Sequence, residues 1–192
     1  GVYENTTTVT TVVATDADLP ANTLTFSLPA GGAADQALFT INGSSGALAF
    51  VAAPNFEDPS DADPDGVYEV KVLVSDGNGG TDMQTISVTV TDANDDPVIT
   101  SDGGGATASL PVAENTTAVT TVTATDVDAA GDTLTFSLPL GGAADRAWFD
   151  IDGSTGALAF QTAPNFEIPT DDDTNGVYEV KVVVSDGEGG MD

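Results

Sequence analysis

Runs of alternating apolar and polar residues dominate the chain. VTTVVAT (9–15), TLTFSL (23–28), LFTI (38–41), VYEVKVLVSD (67–76) and TISVTVTD (85–92) are rich in Val, Thr, Phe and Ile. Gly, Pro, Asn and Asp bound them, which predicts short strands separated by tight turns. In the longest run Tyr68, Val70, Val72 and Val74 share one face and Glu69, Lys71 and Leu73 the other. No segment holds a 3.6-residue apolar period over three turns, and GGAADQALF (31–39) has room for one helical turn.

The pattern then repeats. VYENTTTVTTVVATDAD (2–18) returns as VAENTTAVTTVTATDVD (112–128), TLTFSLPAGGAAD (23–35) at 133–145, APNFE (53–57) at 163–167, and GVYEVKVLVSDG (66–77) at 176–187 with one change. Every offset is 110, and 57 of the 82 positions in 1–82 match their counterparts in 111–192. That period is too long for a solenoid unit and suits whole domains. Six or seven strands per period predict a Greek-key sandwich. The expected fold is therefore all-β: two tandem Greek-key β-sandwich domains joined end to end, over 1–96 and 97–192. MQTISVTVTDANDD (83–96) follows the first copy and has no counterpart after 192, while VITSDGGGATASL (98–110) has none before residue 1. The register predicts a window from a longer array. It also predicts an open edge beside 177–186, to be filled by the rest of a longer chain or by a strand from a neighbouring chain.

Composition narrows the function. Asp and Glu number 31 against three cations (Lys71, Arg146, Lys181), a net charge of −28. Such a chain does not bind nucleic acid by phosphate neutralisation, nor anionic membrane surfaces. Without Cys or His there is no disulfide, thiolate nucleophile, imidazole base or usual zinc site. No apolar run reaches the roughly 18 residues of a membrane span. The acidity fits either solubility or a hard divalent cation, since oxygen donors suit Ca²⁺ or Mg²⁺. The position of the acids favours the cation. They gather in 92–97 (DANDDP), in the pairs Asp16/Asp18 and Asp126/Asp128, at Glu4 and Glu114, at Glu57 and Glu167, and at Asp76 and Asp186. All of these fall at predicted strand ends or turns. Outward strand positions are mostly Thr, Ser and Ala.

These motifs in combination (the linker DxNDx-P, the Glu-Asn, the NFE and the Asp-x-Asp) resemble the cadherin repeat in its bacterial cadherin-like form, over nearly the whole chain. The resemblance implies three Ca²⁺ ions between successive domains. It assigns them Glu4 and Glu57 upstream, Asp92, Asp95, Asp96 and the carbonyl of Asn94 in the linker, and Asp126, Asp128 and Asp186 downstream. A backbone carbonyl near 131–132 would complete the set. Asp16, Asp18, Asp76, Glu114 and Glu167 would then be half-sites toward further repeats. Two positions depart from the animal pattern: Asn55 replaces an Asp, and Asp96 an Asn. Trp148 is not the strand-exchange Trp of animal cadherins and is read as core. Eight carboxylates bring −8 to the junction, and like charges about 4 Å apart repel by roughly 4 kcal/mol at an effective dielectric of 20. Without metal the junction should splay.

A separate signal lies at Asp61, Asp63 and Asp65, which with Gly66 read DxDxDG; the copy is Asp171, Asp173 and Asn175 before Gly176. This is the first half of an EF-hand-type loop without its bidentate Glu, and a solvated turn is the alternative.

The resemblance implies a calcium-binding, calcium-rigidified spacer in a bacterial extracellular adhesin or surface fibre. Its partners would be calcium, neighbouring repeats and identical chains. The alternatives are a polysaccharide-binding module, which wants exposed aromatics where most here are strand-core, and a strand-donating filament subunit. A two-carboxylate glycosidase lacks any cleft-forming insertion, and an ice-binding Thr face is no more than ordinary strand Thr; no enzymatic role is expected.

Overall fold

The computed structural model describes residues 1–17, 23–128 and 133–192. The chain divides into two compact units, Gly1–Ala93 and Asn94–Asp192. As the alternation predicts, both are all-β.

Unit 1 builds β1 (Val2–Tyr3), β2 (Thr8–Thr11), β3 (Thr25–Ser27), β4 (Phe39–Ile41), β5 (Ala47–Phe50), β6 (Val67–Ser75) and β7 (Thr81–Thr91). One sheet runs β1-β7-β6-β3 and the other β2-β5-β4. The period of two in β6 buries Tyr68, Val70 and Val72 and leaves Glu69 exposed. Phe39, Leu48 and Phe50 from one sheet meet Tyr68, Val70, Val88 and Val90 from the other. Phe50 lies stacked on Phe39 at 4.6 Å and edge-on to Tyr68 at 5.1 Å. Each such side chain contributes about 1.5–3 kcal/mol by leaving water. The one predicted helical turn is a 3₁₀ turn at Gln36–Leu38.

Unit 2 repeats the plan in β8 (Val98–Ile99), β9 (Ala118–Thr121), β10 (Ala124–Thr125), β11 (Thr135–Ser137), β12 (Phe149–Ile151), β13 (Ala157–Phe160) and β14 (Val183–Ser185). Phe149, Phe160 and Tyr178 reproduce the aromatic trio, and Trp148 packs half-buried against this core, as read from the sequence. Gly156 has φ +69°, and a Cβ there would run into the Val122 carbonyl; Gly46 stands in the same place in unit 1. The position accepts only glycine.

The copies differ most at the long strand β6 and its counterpart. β6 is extended over nine residues because β7 pairs with all of them, from Val67↔Thr89 to Ser75↔Thr81. Its counterpart β14 is strand only where β11 pairs with it. Met191 bridges to Ser185, and Asp192 exchanges backbone hydrogen bonds with Val184. Val184 is fully buried while Val177 is 60% exposed. Among the described residues, no helix is long and apolar enough to cross a membrane.

Candidate metal centres

The Glu-Asn element of unit 1 follows β1. Asn5 sits at φ +57°, a left-handed conformation that Asn tolerates better than most side chains, and its N–H donates to the Pro54 carbonyl at 3.0 Å. That turn drives Glu4 inward, where it is 1% exposed. Glu4 Oε2 accepts from Phe56 N–H at 2.9 Å and Oε1 from Ala93 N–H at 3.0 Å. Carboxylate oxygens of Glu4, Glu57 and Asp92 lie within 4.8 Å of one another. Three acids spread over 88 positions of the chain are thus gathered at the end of β7. Asn55 Oδ1 accepts from Asp58 N–H at 2.6 Å, so it builds the NFE turn.

In unit 2 a second acidic set is tied together by amides. Asp95 N–H donates to Asp128 Oδ2 at 2.6 Å, and Asp128 N–H to Asp126 Oδ1 at 3.1 Å. Carboxylate oxygens of Asp95 and Asp128 approach within 4.8 Å. Asp126 Oδ2 and Asp128 Oδ1 are buried and have no hydrogen-bond partner. Two orphaned anionic oxygens cost several kcal/mol unless a cation compensates them, and hard carboxylate oxygens fit Ca²⁺.

Asp186 is 3% exposed and is held by donors. Its Oδ1 accepts from the N–H groups of Glu188, Gly189 and Gly190 at 2.7–3.1 Å. Its Oδ2 accepts from the Asn94 amide at 2.9 Å. The Asn94 amide above all, then those backbone N–H groups, hold its carboxyl below the usual carboxylate range against the opposing pull of burial. Gly190 admits no side chain, since a Cβ would meet the Asp186 carboxylate and stand 2.9 Å from the Asp95 carbonyl. Asp96 Oδ1 accepts from Met191 N–H at 3.2 Å.

The remaining sequence candidates are more scattered. Glu114 Oε2 accepts from Phe166 N–H at 3.1 Å, the counterpart of the Glu4 bond, yet Glu114 and Glu167 are both exposed. Asp76 Oδ1 holds its own turn through Asn78 and Gly80 N–H. Asp16 is half-buried. Asp18 and the carbonyls at 131–132 lie outside the described residues.

In the loop before β6, Asp61, Asp63 and Asp65 bring carboxylate oxygens within 4.8 Å of one another. The copy closes on itself: Asp171 Oδ2 accepts from Asn175 N–H at 2.7 Å and Oδ1 from Gly176 N–H at 3.1 Å. Burial pulls the Asp171 carboxyl upward, and hydrogen bonds from the Asn175 and Gly176 amides among others more than offset it, leaving it below its usual value.

The sequence reading missed Asp35 and Asp145, both 4% exposed. Asp35 Oδ1 accepts from Ala62 N–H at 2.7 Å and Oδ2 from Glu69 N–H at 2.8 Å; Asp145 does the same for Asp172 and Glu179. The recurrence of GGAAD in both copies was the only signal.

The sequence profile of the bacterial Ig domain matches residues 1–89 and again 94–192. The chain belongs to the bacterial Ig domain family. Among solved structures it is similar to Drosophila N-cadherin EC1–4, at 18% identity over 90% of this chain and 39% of that one, TM-score 0.53. Human protocadherin-24 EC1–2 (19% identity, 88% and 73%, TM-score 0.47) and mouse cadherin-23 EC22–24 (24%, 97% and 56%, 0.42) also match. The N-cadherin likeness carries the fold: these bacterial Ig domains are cadherin-like sandwiches, as the motifs implied. The chain spans well under half of that N-cadherin chain. No curated protein matches it.

Proposed function

We propose that these tandem Ig domains are a calcium-binding structural module of a bacterial extracellular adhesin or surface fibre. The observation that carries this reading is the pair of buried, unpartnered oxygens, Asp126 Oδ2 and Asp128 Oδ1. A group of this kind needs a cation, and the chain has three basic side chains against 31 acids. Divalent calcium, abundant outside cells, answers that need. The Glu4–Glu57–Asp92 set closes unit 1, and the Asn94–Asp96, Asp126, Asp128 set opens unit 2. The two follow one another along the chain at 92–96 without a break. Calcium on these sets would stiffen that peptide and turn a string of domains into a spacer. The role is mechanical, with no catalytic step.

Calcium titration of the full chain by calorimetry, with scattering measured in calcium and in chelator, tests this. The expected result is binding that Asp126→Asn combined with Asp128→Asn abolishes at these residues, and a chain that becomes more flexible in chelator. Binding, flexibility and thermal midpoint all indifferent to chelator would overturn it.

A further inference from the structure

The two DxDx[DN]G loops, DADPDG at 61–66 and DDDTNG at 171–176, share their spacing but differ in structure. In unit 2 the loop is closed by its own hydrogen bonds. Thr174 adopts φ +57°, its N–H donates to the Asp171 carbonyl at 3.2 Å, and both Asp171 carboxylate oxygens accept backbone N–H groups. The Asn175 amide donates to Asp173 Oδ2 at 2.8 Å, supplying the positive end of a dipole where a cation would otherwise stand.

Unit 1 cannot close this way. Pro64 occupies the place of Thr174, and the proline ring locks φ near −65°. Asp65 occupies the place of Asn175 and brings a carboxylate instead of an amide. Asp61 is 5% exposed; its Oδ2 accepts from Asp65 N–H at 2.8 Å, but its Oδ1 is buried with no partner. The same carboxylate belongs to a cluster in which Asp61, Asp63 and Asp65 each place an oxygen within 4.8 Å of the others. Two ligands on opposite sides of a Ca²⁺ bonded at about 2.4 Å stand about 4.8 Å apart, so this is the span of one ion. Asp65 is oriented by its Oδ1 accepting from Val67 N–H at 2.8 Å. Glu69, on β6, lines the same hollow as Asp63 and Asp65.

We infer that unit 1 binds a single Ca²⁺ ion at Asp61, Asp63 and Asp65, and that unit 2 has no equivalent, because Pro64 and Asp65 keep open a loop that Thr174 and Asn175 seal. This site is separate from the sets at 92–96 and does not depend on the function proposed for them.

The test counts calcium bound per full chain by equilibrium dialysis and follows the Gly66 amide by ¹H–¹⁵N spectroscopy during calcium titration. Asp63 is exposed and suits a mild change. Asp63→Asn should remove one ion per chain, or weaken that site at least tenfold, and should suppress the Gly66 response. The double change Pro64→Thr with Asp65→Asn, which gives the loop the Thr-Asn of unit 2, should do the same in a folded protein. Asp173→Asn should leave the count unchanged. The same loss should appear when Asp63→Asn is added to Asp126→Asn/Asp128→Asn, so failure at 92–96 and failure here are distinguishable. An unchanged count and Gly66 response in Asp63→Asn, or an equal loss in Asp173→Asn, overturns the inference.

Discussion

The side-chain amide of Asn94 donates to Asp186 Oδ2 at 2.9 Å, joining positions 92 residues apart. It is the foremost cause of the lowered Asp186 carboxyl. A carboxyl depressed in the folded state stabilises above its unfolded value, and that stability is lost as pH falls through the folded value. Asn94→Ala moves the folded value back toward the usual range. Acid unfolding of unit 2 should then begin at higher pH, and the Gly190 amide, which donates to both Asp186 oxygens, should exchange about five- to tenfold faster. Hydrogen exchange and acid titration by circular dichroism check both; identical curves would dissociate the amide from the acid.

Asp35 joins the Asp61–Asp65 loop to β6, and Asp145 joins the counterpart loop to the segment that leads into β14. Asp35→Ala leaves the partly buried N–H groups of Ala62 and Glu69 without their acceptor, at about 1–3 kcal/mol for each unsatisfied group. A loss of about 2–4 kcal/mol in urea unfolding is expected. Asp35→Asn keeps one acceptor and should lose about half of that. Asp145→Ala should act alike on unit 2.

Asn42 and Asp152 perform one task with different charge. Asn42 Oδ1 accepts from the N–H groups of Ser44 and Ser45 and the Ser44 hydroxyl at 2.9–3.0 Å; Asp152 Oδ1 does so for Ser154 and Thr155 at 2.7–2.9 Å. The Ser154 hydroxyl first, and then these N–H groups, bring Asp152 down to about 2. Its contribution is complete above the unfolded value near 3.9 and is lost as pH falls toward 2. Asp152→Asn retains the acceptor. It should flatten the acid dependence of unit 2 between about pH 4 and 2 and leave the hairpin intact, with unit 1 as the internal reference.

What the chain disclosed in advance was whatever repeats locally. The alternation at Tyr68, Val70 and Val72 reported a buried face, and GGAADQALF reported one tight turn, because both depend on neighbours two to four positions away. The acids at Glu4, Glu57 and Asp92 were legible as a set only through their motif resemblance. The donors that hold the sites were not legible. Asn94 was expected to contribute its carbonyl; that its side-chain amide also reaches Asp186 was not foreseen, since no local pattern encodes a partner 92 residues away. Asp35 stood only as part of the GGAAD turn because its partners, Ala62 and Glu69, are far along the chain. The contrast between Pro64 and Thr174 was visible in the sequence, but its consequence depends on a backbone angle that composition does not report.

Asp128 makes the sharpest test of the calcium reading, because one substitution should act in opposite directions with and without metal. In the metal-free protein its carboxylate stands within 4.8 Å of Asp95, a repulsion of about 3–4 kcal/mol at an effective dielectric of 20 before solvent and salt reduce it. Its Oδ1 is also buried without a partner. Asp128→Asn removes the charge, keeps an oxygen to accept from Asp95 N–H, and offers an NH₂ group to the neighbouring carboxylates. In chelator the variant should therefore be more stable than the parent, by about 1 kcal/mol, and less sensitive to added salt. In calcium the order should reverse, since the variant has lost a ligand and the stabilisation that saturating calcium adds to the parent. Thermal midpoints of both proteins in chelator and in millimolar calcium decide it. A variant less stable in chelator would mean that Asp128 serves the fold through its hydrogen bond alone. A variant that keeps the whole calcium-induced shift would remove Asp128 from the ligand set.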